Sequence, residues 1–310
     1  MDASVRTSPR SGVRLERFKS KYLKPQTLTS VLWVIVRAII LLGLCYIILY
    51  PFFIKIINAF KTYSDFIDPT VRFLPKNFTL DNIKHVINEM NYWTTLRNTV
   101  VICLILSPLQ TLVCAVTGYG FARFRFKLRG ICFFLVIFSL IVPSQTILLP
   151  LYLKFKTFLG VFNLIGTPWP LVIMSLTGLG IKNGLYIFMF RQFFRNMPKE
   201  LEEASYLDGC GTVRTFTKIM LPAATSTMVT VFLLSLAWQW TDTVFTPRFL
   251  DDIDIMSRNV NALMQSAGKP IEVANYENIG AVLAVIPIAL VYIVLQKFFV
   301  ESIDRAGIVG

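Results

Sequence analysis

Residues 191–222 read RQFFRNMPKELEEASYLDGCGTVRTFTKIMLP, a polar and acidic stretch set between two strongly apolar blocks. Asn196 is placed to cap a helix whose first turn holds Pro198, and Glu200, Glu202 and Glu203 fall where the positive end of the helix dipole favours acids. Leu201, Ala204 and Leu207 recur every three residues as a small apolar stripe, and either Gly209 or Gly211 supplies a left-handed helix end. A second helix then runs through Phe216 and Ile219 to Pro222. The pattern predicts a short amphipathic helix lying on a membrane face, joined by a tight turn to the apolar helix that follows. A loop that merely links two membrane helices needs no such acid, so the segment reads as a docking surface for a soluble partner.

The blocks on either side of it set the fold class. The 310-residue chain is 55% hydrophobic and 16% charged, with mean hydropathy +0.60, whereas a soluble domain carries about 25% charged residues. Apolar blocks lie near 31–60, 95–122, 131–153, 168–190, 223–246 and 278–300. Each is long enough to cross roughly 30 Å of hydrocarbon as a helix. The expectation is an all-α polytopic membrane protein with six transmembrane helices. Residues 1–30 form a basic tail, 31–300 a single transmembrane domain that includes the 191–222 loop, and 301–310 a short polar tail.

The net charge of +13 raises the question of nucleic acid. With the N-terminus in the cytoplasm, eighteen of the 31 Lys and Arg fall in inside segments and nine in outside loops. This two-to-one bias follows the positive-inside rule with both termini cytoplasmic, so the basicity is topological and no nucleic-acid role is expected. The basic tail is suited to anionic lipid headgroups. The five cysteines lie in spans or inside loops, with no metal-binding spacing and no disulfide framework.

Arg37 and Lys55 sit near the ends of the first span, where they can snorkel. Outside, KNFTLDNIKHVI (76–87) predicts a short helix capped by Thr79, with Ile83, Val86 and Ile87 on one face and His85 on the surface. Pro143 and Pro150 are expected to kink the third span. The fourth, PLVIMSLTGLGIKNGLYIFMF (170–190), is interrupted by Gly178, Gly180 and Gly184 around Lys182 and Asn183. A lysine near mid-bilayer costs about 2.5–3.5 kcal/mol, so Lys182 must face a cavity or a partner chain or reach for the interface. Glycine-broken helices at that depth are where transporters place substrate, which makes Lys182 and Asn183 substrate-path candidates alongside the packing explanation. Trp238 and Trp240 suit the outer aromatic belt, with sugar stacking as the alternative.

Motifs for catalysis or nucleotide binding (GxxxxGK[ST], GxGxxG, HExxH, GxSxG) do not occur, and buried carboxylates for an ion relay are too sparse. No enzyme is expected, and any energy for uphill movement enters from another chain.

The central stretch resembles a known pattern. Glu203-Ala204-Ser205, Asp208-Gly209-Cys210, Phe216, Ile219 and Leu221-Pro222 match, at the same spacing, the EAA-x-x-DGA-x5-F-x-x-I-x-LP loop of ATP-binding-cassette (ABC) importer permeases. Ser205 and Cys210 stand where that family usually has alanine, and both are small. YPFFIKIINAFKT, NFTLDNI, GYGFARFRF, IVPSQTILLPLYL, FRQFFRNMPKELEEAS and QKFFVESIDRAGIVG extend the resemblance to the carbohydrate-uptake branch, within it to the six-span second membrane subunit of maltose-type importers. The resemblance implies the type I importer permease fold, a bacterial plasma-membrane location, a second permease (a different chain by preference), an ABC ATPase dimer and an extracellular sugar-binding protein. The resemblance makes Glu202, Glu203, Ala204, Ser205, Asp208, Gly209 and Cys210 the ATPase-coupling surface, and Glu301, Gly307 and Gly310 a second approach to the ATPase. No cofactor is implied for this chain, because ATP and magnesium belong to the ATPase. A different solute (a polyol, a glycerol phosphodiester or a modified peptide) would use the same loop. A secondary carrier would need no docking helix.

Overall fold

The structure, a computed structural model, describes residues 25–265 and 269–307. Fourteen α-helices are found among them. In chain order they are α1 (Pro25–Ala59), α2 (Tyr63–Ile67), α3 (Asp81–Glu89), α4 (Tyr92–Arg123), α5 (Arg129–Phe138), α6 (Ser144–Lys156) and α7 (Trp169–Leu176). There follow α8 (Asn183–Asn196), α9 (Glu200–Leu207), α10 (Thr212–Ala223), α11 (Thr225–Trp240), α12 (Thr246–Phe249), α13 (Met256–Ala262) and α14 (Pro270–Gly307). Among the described residues there is no strand, only the isolated bridges Lys61–Phe78 and Phe158–Phe162. The all-α class expected from composition is the one observed.

Every apolar block is helical, but not every block is one helix. By length and composition α1, α4 and α14 are each long and apolar enough to cross a membrane unbroken, and α10 with α11 passes the same test only as a pair bent by 76°. The third block divides into α5 and α6, and the fourth into α7 and α8. In the third, Pro143 marks the break, as the residue just before α6. Pro150, expected to kink the span, lies inside α6 without ending it. The bend before α11 follows Pro222, which offers no N–H to the turn behind it, and the preceding Phe216–Met220 run is wound as a π-helix.

The chain divides into two units, 1–58 and 59–310. In the first, α1 carries exposed apolar side chains along its length. In the second, α4 is the central helix, with half of its most apolar stretch buried. One apolar cluster joins α3, α4, α11, α13 and α14 around Val86, Met90, Cys103, Trp240 and Ile279. Another packs α4 and α8 with α10 and α11 around Tyr119, Tyr186, Phe190, Phe194 and Met220. A third surrounds Leu106, Phe155, Met174 and Phe249. Gly118 allows the close approach of α4 to α8, since a β-carbon there would stand 2.5 Å from that of Phe190.

In α3 the face formed by Ile83, Val86 and Ile87 packs as predicted, but the capping position falls to Leu80 and not to Thr79, whose hydroxyl sits one residue further out and accepts the Asp81 N–H at 3.1 Å. His85 departs from its surface assignment. It is half-buried, with its ring 4.5 Å from that of Tyr276.

Candidate functional site

The chain enters the acidic loop through a proline stop. Pro198 restricts Met197 to extended backbone (φ −70°, ψ 142°), so α8 ends at Asn196. Asn196 therefore closes α8 and does not cap α9, and Lys199 holds the capping position. The first turn of α9 contains Glu200, Glu202 and Glu203. At the other end Gly209 takes φ +78°, its N–H donates to the Tyr206 carbonyl, and the Cys210 N–H donates to the Ser205 carbonyl, each at 3.0 Å. These two bonds close a Schellman motif, and of the two candidate glycines Gly209 is the left-handed one. Gly211 is extended and precedes α10.

The faces of α9 are arranged contrary to simple amphipathicity. Leu201, Ala204 and Leu207, the apolar stripe, point outward, with Leu207 90% exposed. The residues turned inward are Glu202 and Ser205. Tyr119 Oη donates to Glu202 Oε1 at 2.8 Å, Arg123 Nε lies 3.4 Å from Glu202 Oε2, and Arg123 Nη2 donates to the Met197 carbonyl at 2.8 Å. The end of α4 thus grips both the loop before α9 and α9 itself. Ser205 Oγ and the buried Thr215 Oγ1 are 2.8 Å apart, which ties α9 to α10. The seven loop residues accordingly divide. Glu202 and Ser205 fasten the helix to the protein, while Glu203, Ala204, Asp208 and Gly209 are exposed and Cys210 is half-buried. Leu207 and Val213 add exposed apolar surface beside those acids, an arrangement that fits a covered face.

Lys182 and Asn183, adjacent in sequence, go to different places. They sit at the break between α7 and α8, where Gly178 (φ +75°) and Lys182 (φ +60°) take left-handed backbone. The Lys182 ammonium lies 4.7 Å from the centroid of the Trp238 ring, a cation–π contact on a tryptophan that is 44% exposed. Asn183, 2% exposed, turns into the helices, where its Oδ1 accepts from Gln110 Nε2. Gln110 Nε2 also donates to the Ile181 carbonyl at 2.6 Å, Gln110 Oε1 accepts from the Ser235 hydroxyl, and Gln239 Nε2 approaches that oxygen at 3.5 Å. This buried polar cluster joins α4, α8 and α11. Gln110, Ser235 and Gln239 escaped the reading of the sequence, although a lone glutamine inside an apolar block was the available signal. At the C-terminus Glu301 and Gly307 continue α14, and Gly310 lies outside the described residues, as do residues 1–24 of the basic tail.

The chain has relatives among known transport proteins. The arabinooligosaccharides transport system permease protein AraQ of Halalkalibacterium halodurans is 26% identical over 275 residues, covering 86% of this chain and 93% of the relative. The maltodextrin transport system permease protein MalD of Streptococcus pneumoniae is 28% identical over 270 residues, covering 86% and 92%. Among solved structures, a bacterial ABC transporter involved in the import of the acidic polysaccharide alginate contains a similar chain. It aligns with TM-score 0.68 at 20% identity over 87% of this chain and 98% of that one, a likeness of fold. Residues 114–305, most of the chain and including the loop with its anchors Tyr119, Arg123 and Thr215, match the family described as binding-protein-dependent transport system inner membrane component, and the chain belongs to that family.

Proposed function

We infer that this chain is a permease subunit that imports a saccharide, working with a second permease, an ABC ATPase dimer and an extracellular binding protein. The saccharide reading rests on the names of the relatives, which are oligosaccharide and maltodextrin permeases. The observation that carries the mechanism is the attachment of α9. Its outer face and C-terminal turn offer Glu203, Leu207 and Asp208, with Val213 of α10 exposed beside them, while Glu202 and Ser205 lock its inner face to α4 and α10. A helix held in this way moves as a rigid piece with the spans, so closure of an ATPase dimer against the outer face is transmitted to the membrane as displacement of a packed element. ATP hydrolysis belongs to the partner, and this chain is a non-catalytic permease.

In the same reading both termini and the 191–222 loop are cytoplasmic, 31–300 is one membrane domain, and Lys182 with Asn183 borders the substrate path. The test is uptake by proteoliposomes containing the complete importer, with labelled arabino- and malto-oligosaccharides as probes. Glu203→Lys should leave the membrane subunits assembled, weaken ATPase binding and abolish ATP-driven uptake. Uptake that persists without any ATPase would sink the coupling reading.

A further inference from the structure

A cavity of about 390 Å³ opens where the base of α9 meets the ends of α4 and α8. Arg125 and Arg129 converge on it from one stretch of sequence and Arg195 and Lys199 from another. The positive-inside rule asks only that cations lie in inside loops, and it gives no reason for four of them to share one concavity. The charge balance is one-sided. Arg123, also in the wall, is matched by Glu202, which leaves Glu203 as the remaining lining carboxylate. Among the described residues the ion pairs are Lys76–Asp68 and Arg123–Glu202, so none of the four cations has a carboxylate within 4.0 Å. Arg129 is held in place by donating to the carbonyls of Phe124 and Ala122 at 3.3 Å each, partners that fix its position without neutralising it.

Guanidinium forks and an ammonium gathered around a small concavity suit a phosphate, which accepts several charge-assisted bonds at once. The volume falls within the range of sites for small ligands. The cavity lies beside Arg123, the last residue of α4, a helix long and apolar enough to cross a membrane, so in the orientation inferred above it falls at the level of the headgroups. We propose that this cavity binds a phosphate group, supplied by the headgroup of an anionic phospholipid, and so places a lipid at the root of the coupling helix. The source of the phosphate rests on the membrane orientation inferred above. A lipid seated there touches Lys199 and Glu203 at the start of α9, and the composition of the inner leaflet then acts on ATPase coupling.

The experiment uses the purified full chain in detergent, with bound lipid read by native mass spectrometry. Three probes are compared: dihexanoyl phosphatidylglycerol, dihexanoyl phosphatidylcholine and inorganic phosphate. Phosphatidylglycerol should be retained in preference to phosphatidylcholine, and an equal concentration of inorganic phosphate should not displace it. Arg125→Gln, Arg195→Gln and Lys199→Gln remove exposed cations, and each should weaken phosphatidylglycerol binding about fivefold. Wild-type binding in all three variants would overturn the site, and equal competition by inorganic phosphate would overturn the lipid as its source. If the variants keep the lipid but lose affinity for the ATPase, the cations serve a protein partner and the proposal also fails. Lipid binding by the isolated chain needs no transport, so its failure leaves the permease reading intact, and loss of ATP coupling leaves the lipid site intact.

Discussion

Glu202 is an acid that sequence reasoning assigns to an outside partner and that folding assigns to the protein's own frame. With Tyr119 and Arg123 it forms a buried cluster whose carboxylate and guanidinium side chains are 11% and 7% exposed. Removing one member of such a pair strands the other, at a cost of about 3–5 kcal/mol, whereas replacing both with apolar groups of like size is nearly neutral. Glu202→Ala should therefore lower thermal stability sharply. The double variant Glu202→Leu with Arg123→Met should recover much of the loss, less whatever the Arg123 bond to the Met197 carbonyl contributes. A calorimetric double-mutant cycle with additive losses would contradict this account. Gly209 gives a cleaner case. A β-carbon there meets nothing within 4 Å, so Gly209→Ala pays no steric cost, only left-handed strain of about 1–2 kcal/mol. Gly209→Asn should cost less than Gly209→Ala in the same melting experiment, because asparagine tolerates that backbone. Sequence could supply a glycine at this turn but not choose between Gly209 and Gly211. The choice depends on which carbonyls of α9 remain unpaired, and that is a property of the finished helix.

Among the elements, the helices were legible as apolar blocks, and so was the glycine-marked interruption of the fourth block, whereas proline did not place the break in the third. Proline was a poor guide, since Pro143 marks a break and Pro150 does not. Whether a proline stops a helix depends on whether neighbours satisfy the freed carbonyl, and those neighbours come from elsewhere in the chain. The facing of α9 was hidden for a related reason. Periodicity identifies an apolar stripe but does not say which face of the helix is buried. Here the inward face is polar because Arg123, Tyr119 and Thr215 await it. The outward stripe yields a prediction for the element. Leu207→Asp should leave the unfolding free energy of the chain within about 0.5 kcal/mol of wild type, as expected for an exposed site, while ATPase retention on the purified permease falls. Unchanged ATPase retention would remove Leu207 from the docking face. The segment between α2 and α3 offers a pH test. Asp68 accepts from the Lys76 ammonium at 2.6 Å and from the Thr70 hydroxyl and N–H, and the Lys76 bond, ahead of those from Thr70, holds its carboxyl well below the usual carboxylate range. A depressed folded-state value means its contribution is present above the unfolded value of about 3.9 and is lost as pH falls further. Amide exchange at Thr70 and Val71, corrected for intrinsic rate, should stay flat from pH 7 to about pH 4 and accelerate only below it.

At the level of the whole molecule, the distribution of charge sets the direction in which the chain faces the membrane, and every functional assignment to the 191–222 loop depends on it. The bias of eighteen cations against nine is the support for the orientation proposed above, because lysine and arginine resist translocation where short loops flank a span. The native cysteines provide reporters. Cys103 and Cys114 are buried, Cys45 lies in the apolar α1, and Cys210 is half-buried at the turn after α9. A membrane-impermeant maleimide should label Cys210 in inside-out vesicles and leave it untouched in intact cells, with Cys210→Ser identifying the labelled site. Leu74→Cys, at an exposed position in the segment expected outside, should show the opposite pattern in a Cys210→Ser background. The two sites must exchange together, since an odd number of crossings separates residue 74 from residue 210 in the six-block arrangement. Labelling of Cys210 from outside would place α9 away from any cytoplasmic ATPase and remove the basis for coupling. Labelling of both sites from the same side would leave the orientation of the loop standing or falling with that side and would instead break the six-span count. In that event the divided blocks, α5 with α6 and α7 with α8, are the places to look, because each can turn back within the membrane where a continuous helix cannot.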